Sequence, residues 1–97
     1  MPTYITLLTF TQQGVWNIKD GPALLDAAKK AFQSMGVELK GFYLVIGQYD
    51  AVVISEASDD ETAAKLALSI GSLGNVRTET LRAFTEDEFR KIIAALP

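Results

Sequence analysis

Two apolar runs, Phe42–Ile46 and Ala51–Ile54, flank a polar turn near the middle of the chain. Both runs are rich in the β-branched and aromatic residues that favour strands. The turn between them, Gly-Gln-Tyr-Asp at 47–50, contains the Gly and Asp that tight turns use. Because each run is apolar at successive positions, the pattern predicts a β-hairpin whose two faces are both covered.

The same patterns predict further strands and helices on either side of this hairpin. The four predicted strands are Thr3–Phe10, Glu38–Ile46, Ala51–Glu56 and Val76–Phe84. A turn or short helix over Val15–Asp20 precedes a helix that begins at Gly21-Pro22 and stops at Gly36. The capping-box sequences Ser58–Glu61 and Thr85–Glu88 predict two more helices, the first of them ending at Gly74.

The order of these elements predicts an α+β fold of the ferredoxin-like βαββαβ type, a single domain over residues 1–97 with a C-terminal helix. Right-handed crossovers place both main helices on one face of a four-stranded antiparallel sheet. In the second strand, alternation groups Leu39, Gly41, Tyr43 and Val45 on one face and Lys40, Phe42, Leu44 and Ile46 on the other. Since either face is largely apolar, we expect a homodimer that closes into a dimeric α+β barrel. The sequence does not decide whether such dimers form a higher oligomer.

Composition removes several classes of function. The 97 residues include no Cys and no His, which excludes disulfides, thiolate or Ser-His catalysis, and metal sites built from nitrogen or sulfur. We expect no metal and no cofactor. The net charge of -3 is spread along the chain without a basic run, so neither nucleic acid nor a membrane surface is an expected partner. With no membrane span or signal segment in the sequence, a cytoplasmic location is expected.

The hairpin turn and the fourth strand carry the main candidate site residues. Asp50 either caps backbone N–H groups or serves as acceptor or base for a ligand, and Tyr49 either covers the barrel end or walls a ligand site. Arg77 and Glu79 share one strand face, and Arg82 lies on the other with Thr78 and Thr80. These charges either form ion pairs between strands or subunits, or one arginine clamps a ligand carboxylate.

Two aromatic residues complete the candidate site. Trp16, in the connection after the first strand, is either a core or interface residue or a ligand-stacking group. Tyr43 is expected to be buried in mid-strand, where its hydroxyl would need a hydrogen-bond partner. Which face of the fourth strand lines the barrel stays open at this point.

Several segments resemble the GYD family, which takes its name from a Gly-x-Tyr-Asp turn. They are Tyr4–Leu7, Thr11 with Gly14, Asn17–Asp20, Gly47–Asp50 and Gly71–Phe84, and together they extend over nearly the whole chain. The resemblance implies a small dimeric α+β barrel protein of bacteria or archaea, and it leaves the activity open. The same turn is similar to the ligand-binding half of leucine-responsive-type regulators, which implies a module that senses or carries a small molecule without a DNA-binding domain.

Three hypotheses for the function follow. The first is a homodimeric module that binds a small apolar or carboxylate-bearing molecule in or at the mouth of the barrel. The second is a cofactor-free enzyme of the oxygenase or isomerase kind, with Asp50 or a tyrosine as base. The third is a purely structural or interaction protein. An open cavity lined by polar groups favours the first two, and a solidly packed interior favours the third.

Overall fold

The computed structural model describes all 97 residues and confirms the ferredoxin-like α+β fold. The strands are β1 (Thr3–Phe10), β2 (Glu38–Leu44), β3 (Ala51–Glu56) and β4 (Val76–Ala83), and they form one antiparallel sheet in the order β2-β3-β1-β4. The helices are α1 (Gln12–Trp16), α2 (Gly21–Ser34), α3 (Asp60–Gly71) and α4 (Glu86–Ala94), with a 3-10 turn over Ile18–Asp20. The predicted strands β1 and β3 match these bounds, whereas β2 and β4 end before their last predicted residues.

The hydrophobic core lies between α2, α3 and one face of the sheet. Its buried members come from both layers: Tyr4, Leu8, Phe32, Val37, Ala51, Val53, Ala57 and Leu66. Only 10 of the 97 residues are buried, and no large side chain is completely enclosed. A core this small leaves several large apolar side chains of the single chain exposed to water, which is unfavourable.

A β-bulge at Lys40 overturns the predicted alternation along β2. Leu39 pairs with Ser55, whereas Gly41 pairs with Ile54, so one residue is inserted between these pairs. Leu39 therefore packs against the core, while Gly41 and Tyr43 face the other side of the sheet. The Lys40 ammonium lies 2.9 Å from a carboxylate oxygen of Glu38 and 3.5 Å from one of Glu56.

The helix boundaries correct two predictions and confirm a third. The N-cap of α3 is Asp59, not Ser58, because Asp59 is the residue in extended backbone and its carboxylate accepts the Thr62 N–H at 2.8 Å. This bond and one from the Thr62 hydroxyl lower the pKa of Asp59. Helix α3 ends at Gly71, and Gly74 instead provides a turn with φ of 85°. The capping box at Thr85 and Glu88 is confirmed.

Helix α1 is fastened to the loop between α3 and β4. Its N-cap Thr11 donates its backbone N–H to the Asn75 carbonyl at 3.1 Å and its hydroxyl to the Gly74 carbonyl at 2.5 Å. Gln13 donates to the Leu73 carbonyl at 3.0 Å. Gly14 is buried directly against the Asn75 carbonyl oxygen, where there is no space for a Cβ atom. These contacts place Trp16 at the end of the sheet where β1 ends and β4 begins.

The longest helix is α2, with 14 residues, and no helix in the structure combines the length and apolar character that crossing a bilayer requires.

Candidate functional site

The face of the sheet opposite the helices carries an apolar floor, which we call the helix-free face. Strand pairing places its members in two rows across the sheet. One row is Tyr43, Val52, Leu7 and Glu79, and the other is Gly41, Ile54, Ile5 and Leu81. The central side chains are aliphatic, and the polar groups lie at the two edges. This arrangement suits a ligand with an apolar body and a polar end.

Tyr43 is 60% exposed at one edge of this face, so its predicted burial is wrong for the single chain. The reason is that β2 is an edge strand and Tyr43 lies on the side that has no helix. Leu81, in the other row, is 45% exposed. The helix-free face therefore presents large apolar groups to water unless another molecule covers it.

A tyrosine and a glutamate meet at the opposite edge. The Tyr49 hydroxyl, from the β2–β3 loop, donates to a carboxylate oxygen of Glu79 at 2.7 Å. Because β1 lies between β3 and β4, this bond spans the end of β1 and ties the loop to the far edge of the sheet. The same bond is the main cause of the raised pKa of Tyr49, so the phenol remains a neutral donor near neutral pH.

Arg77 shares this edge with Glu79, as the sequence predicted. The two residues are two positions apart on β4, which separates their Cα atoms by roughly 6.8 Å. Arg77 forms no ion pair within the chain, and Glu79 is already bonded to Tyr49. The predicted ion pairing of Arg77 is thus not found inside one chain. Its guanidinium is free to contact a ligand or a second subunit.

Asp50 has a defined backbone role. Its carboxylate accepts the Phe10 N–H at 2.8 Å, and its own N–H donates to the Leu8 carbonyl at 2.8 Å. Both contacts extend the pairing of β1 and β3 beyond the last ladder residues. Asp50 therefore caps backbone N–H, as one of its two interpretations predicted, although the N–H belongs to β1 and not to the hairpin turn.

Arg82 shares one face of β4 with Thr78 and Thr80, as predicted, and the register shows that this face is on the helix side of the sheet. Its guanidinium stacks over the Phe84 ring, with the Cζ atom 4.4 Å from the ring centroid, and lies 4.0 Å from a Glu88 carboxylate oxygen. Arg82 consequently makes no contribution to the helix-free face. Trp16 is 79% exposed on α1, outside the two rows of that face. Of the predicted site residues, Arg77 lies on the edge strand that Tyr49 reaches through Glu79, and Tyr43 lies on the opposite edge strand.

A buried tyrosine forms a hydrogen bond that the sequence pattern does not indicate. The Tyr4 hydroxyl donates to a carboxylate oxygen of Asp60 at 2.5 Å, and Tyr4 is 3% exposed. Burial, followed by the bond to Asp60, raises the pKa of Tyr4 to about 12. The 56 positions between the partners explain why no local pattern could indicate the pair. Tyr4 belongs to the core, whereas Asp60 is exposed at the start of α3.

The Tyr4 pair predicts a stability change at high pH. The folded-state pKa of about 12 exceeds the ordinary 10.0, so the bond stabilises the chain below pH 10 and this contribution is lost as pH rises towards 12. In a titration followed by phenolate absorbance, one of the three tyrosines should ionise well after the rest or only on unfolding. Tyr4→Phe should remove that last step and destabilise the chain by about 1 kcal/mol. Simultaneous ionisation of all three near pH 10 would contradict the assignment.

The profile of the GYD domain matches residues 4–93, nearly the entire sequence. The chain belongs to the GYD domain family. A relative of this GYD domain is the "Glutamine synthetase and cystathionine beta-lyase binding protein" of Thermus thermophilus, which is 36% identical over 84 residues, or 86% of this chain and 88% of the relative. The predicted family is thereby confirmed.

Solved structures with the same fold include the protein TTHA0845 from Thermus thermophilus. It is 29% identical with a TM-score of 0.63, and the match covers 88% of this chain and 95% of that protein. A feast or famine regulatory protein from M. tuberculosis, solved with L-methionine, is 21% identical with a TM-score of 0.63 over 90% of this chain and 54% of its own. At that identity the second likeness shows only that this GYD domain shares its fold.

Proposed function

We propose that this GYD domain is a homodimeric binding module in which two helix-free faces enclose a small molecule with an apolar body and a carboxylate. The observation that carries the proposal is the distribution of groups on that face. Aliphatic side chains fill its two central rows, and its polar groups lie at the edge strands and at the strand ends, where Thr9 pairs with Arg77. A second copy would cover the exposed floor and leave the edge groups at the mouth of the enclosed space.

Each edge residue has a role in this proposal. Arg77 clamps the ligand carboxylate, because a guanidinium offers two parallel N–H donors to a carboxylate and has no competing partner in the chain. The Tyr49 hydroxyl donates to a Glu79 carboxylate oxygen at 2.7 Å, which gives Glu79 a hydrogen-bond partner other than Arg77. Tyr43, three strand spacings or about 14 Å across the sheet, closes the apolar end.

Catalysis is not included in this proposal. The enzyme hypothesis needs a free base, and Asp50 was the main candidate. Its carboxylate accepts the Phe10 N–H and joins β1 to the loop. If Asp50 took a proton from a substrate, that proton would compete with this structural hydrogen bond. A binding role requires no such group.

Octanoate is a suitable probe because it combines a carboxylate with an apolar chain short enough for the floor. In calorimetric titration, Arg77→Gln should weaken octanoate binding by at least about tenfold, the loss expected when one charged bidentate contact disappears. Lys65→Gln is the matched control, since it removes an exposed cation from α3 and should leave binding unchanged. Octanol lacks the carboxylate, so its affinity should be the same for the Arg77→Gln variant and the parent. Equal octanoate affinity in both would overturn the clamp.

A second candidate function is suggested by the name of the Thermus thermophilus relative, which describes a protein that binds two enzymes. Helix α1 and the 3-10 turn expose Val15, Trp16 and Ile18 by 55%, 79% and 47%. Exposed tryptophan with aliphatic neighbours is typical of protein-binding sites. If this candidate is correct, Trp16→Ala should abolish binding to purified glutamine synthetase or cystathionine beta-lyase, whereas Leu68→Ala on α3 should not.

A further inference from the structure

Helix α4 has an apolar stripe and no surface of its own chain to cover it. Phe89, Ile92, Ile93 and Leu96 recur at helical spacing and are 57%, 44%, 50% and 60% exposed. The substantial contacts between elements join the strands to each other and to α1, α2 and α3, and none involves α4. A helix of nine residues is marginal in water without tertiary packing, so α4 needs a partner surface.

The overall dimensions show that the chain is elongated. The radius of gyration is 14.7 Å, whereas a compact chain of this length has about 12.5 Å. The longest dimension is 52 Å against 31 and 18 Å for the others. This elongation is consistent with a terminal helix that makes no substantial contact with the other elements.

The helix layer of the same fold has a vacant position over β2. On the helix side, Phe42 is 38% exposed and Leu44 is 72% exposed, and Ile46 just beyond the strand is fully exposed. An open groove continues this surface between α2 and the start of β2. Half of its lining is apolar (Phe32, Val37, Leu39) and half is polar (Lys29, Gln33, Glu38). An apolar helix placed there would complete the layer.

The chain's own α4 cannot occupy this position. It follows β4, which is the edge of the sheet opposite β2, about 14 Å away. It also starts at the end where β4 pairs with Thr3, whereas Leu44 lies at the end marked by Ala51 and Leu8. The two residues between β4 and α4 reach at most about 7 Å. An α4 helix from a second chain is free of this constraint.

We propose that α4 is an exchanged arm, which packs its apolar stripe on the helix side of β2 in a second copy of the chain. Charge does not decide this position, because the groove carries one cation, Lys29, and one carboxylate, Glu38. The match is between apolar surfaces: the exposed stripe of α4 and the exposed side chains over β2. When two copies exchange arms, each α4 stripe covers the exposed side chains over β2 of the other copy. The two contacts are equivalent, as in a two-fold interface. The inference rests on the self-association proposed above and specifies a contact additional to the helix-free faces.

Cysteine cross-linking tests the exchange directly, because the chain has no native cysteine. Ile92→Cys and Leu44→Cys variants, co-expressed with different affinity tags, should form a disulfide between the two chains under mild oxidation. The matched control replaces Leu44→Cys with Leu68→Cys, an equally exposed position on α3, and should give no comparable product. An excess of the Ile92–Leu44 product of at least about tenfold over the control is expected.

The native mass of the same samples separates the outcomes. A dimer without the specific cross-link would overturn the exchanged arm while leaving the helix-free interface intact. A monomer would overturn the arm and the homodimeric module together. A cross-link formed within one chain carrying both cysteines, at monomer mass, would show that α4 folds back and would also overturn the exchange.

Discussion

Replacing Gly14 with alanine is expected to lower the free energy of unfolding by about 3 kcal/mol. The new Cβ would overlap the Asn75 carbonyl oxygen, and the obstacle is backbone, which cannot move aside as a flexible side chain can. Relief of the overlap requires α1 and the α3–β4 loop to separate. That movement would also weaken the Thr11 bonds to Asn75 and Gly74. Urea denaturation at equal protein concentration measures the loss.

Gly71→Ala is the matched control for this experiment. Gly71 also lies in a helix, but a Cβ there meets nothing within 4 Å. Because alanine favours helix more than glycine, the substitution should be neutral or stabilise the chain by up to about 1 kcal/mol. A Gly14→Ala protein as stable as Gly71→Ala would show that α1 is not fastened to the loop in the way described.

Replacing Ile54 with glutamate should dissociate the proposed dimer and leave a folded monomer. Ile54 is on the central strand β3, between Gly41 and Ile5 in one row of the helix-free face. A two-fold interface would bury two such glutamates without partners, at a cost of several kcal/mol. We expect the dissociation constant to rise by at least about a thousandfold, measured by light scattering across a dilution series.

Leu68→Glu provides the control for Ile54→Glu. Leu68 is 74% exposed on α3, on the other side of the sheet. Replacing this aliphatic residue with glutamate therefore leaves the helix-free face unchanged. Its dissociation constant should equal that of the parent chain. If Ile54→Glu also remained a dimer with unchanged affinity, the two copies would have to meet through a different surface.

Hydrophobic patterns identified the main strands and helices because each pattern is local. The bulge at Lys40 was missed since one inserted residue leaves the composition of β2 unchanged while it moves Leu39 to the other face. The N-cap of α3 was misplaced by one residue because Ser58 and Asp59 are both good capping residues, and only backbone geometry distinguishes them.

The candidate site was predictable only as far as strand alternation extends. Alternation placed Arg77 and Glu79 on one face and Arg82 on the other, which the strand register confirms. It could not indicate that the helices cover the Arg82 side, or that Tyr49 reaches Glu79 across β1. Such pairs depend on the sheet order, which brings together residues distant in the sequence.

Sedimentation equilibrium of the unmodified chain at micromolar concentration tests the central claim, that a second copy covers the helix-free face. We expect a mass of twice the 10.6 kDa chain, together with slow hydrogen exchange in the central strands β1 and β3. A mass of 10.6 kDa at that concentration would contradict it.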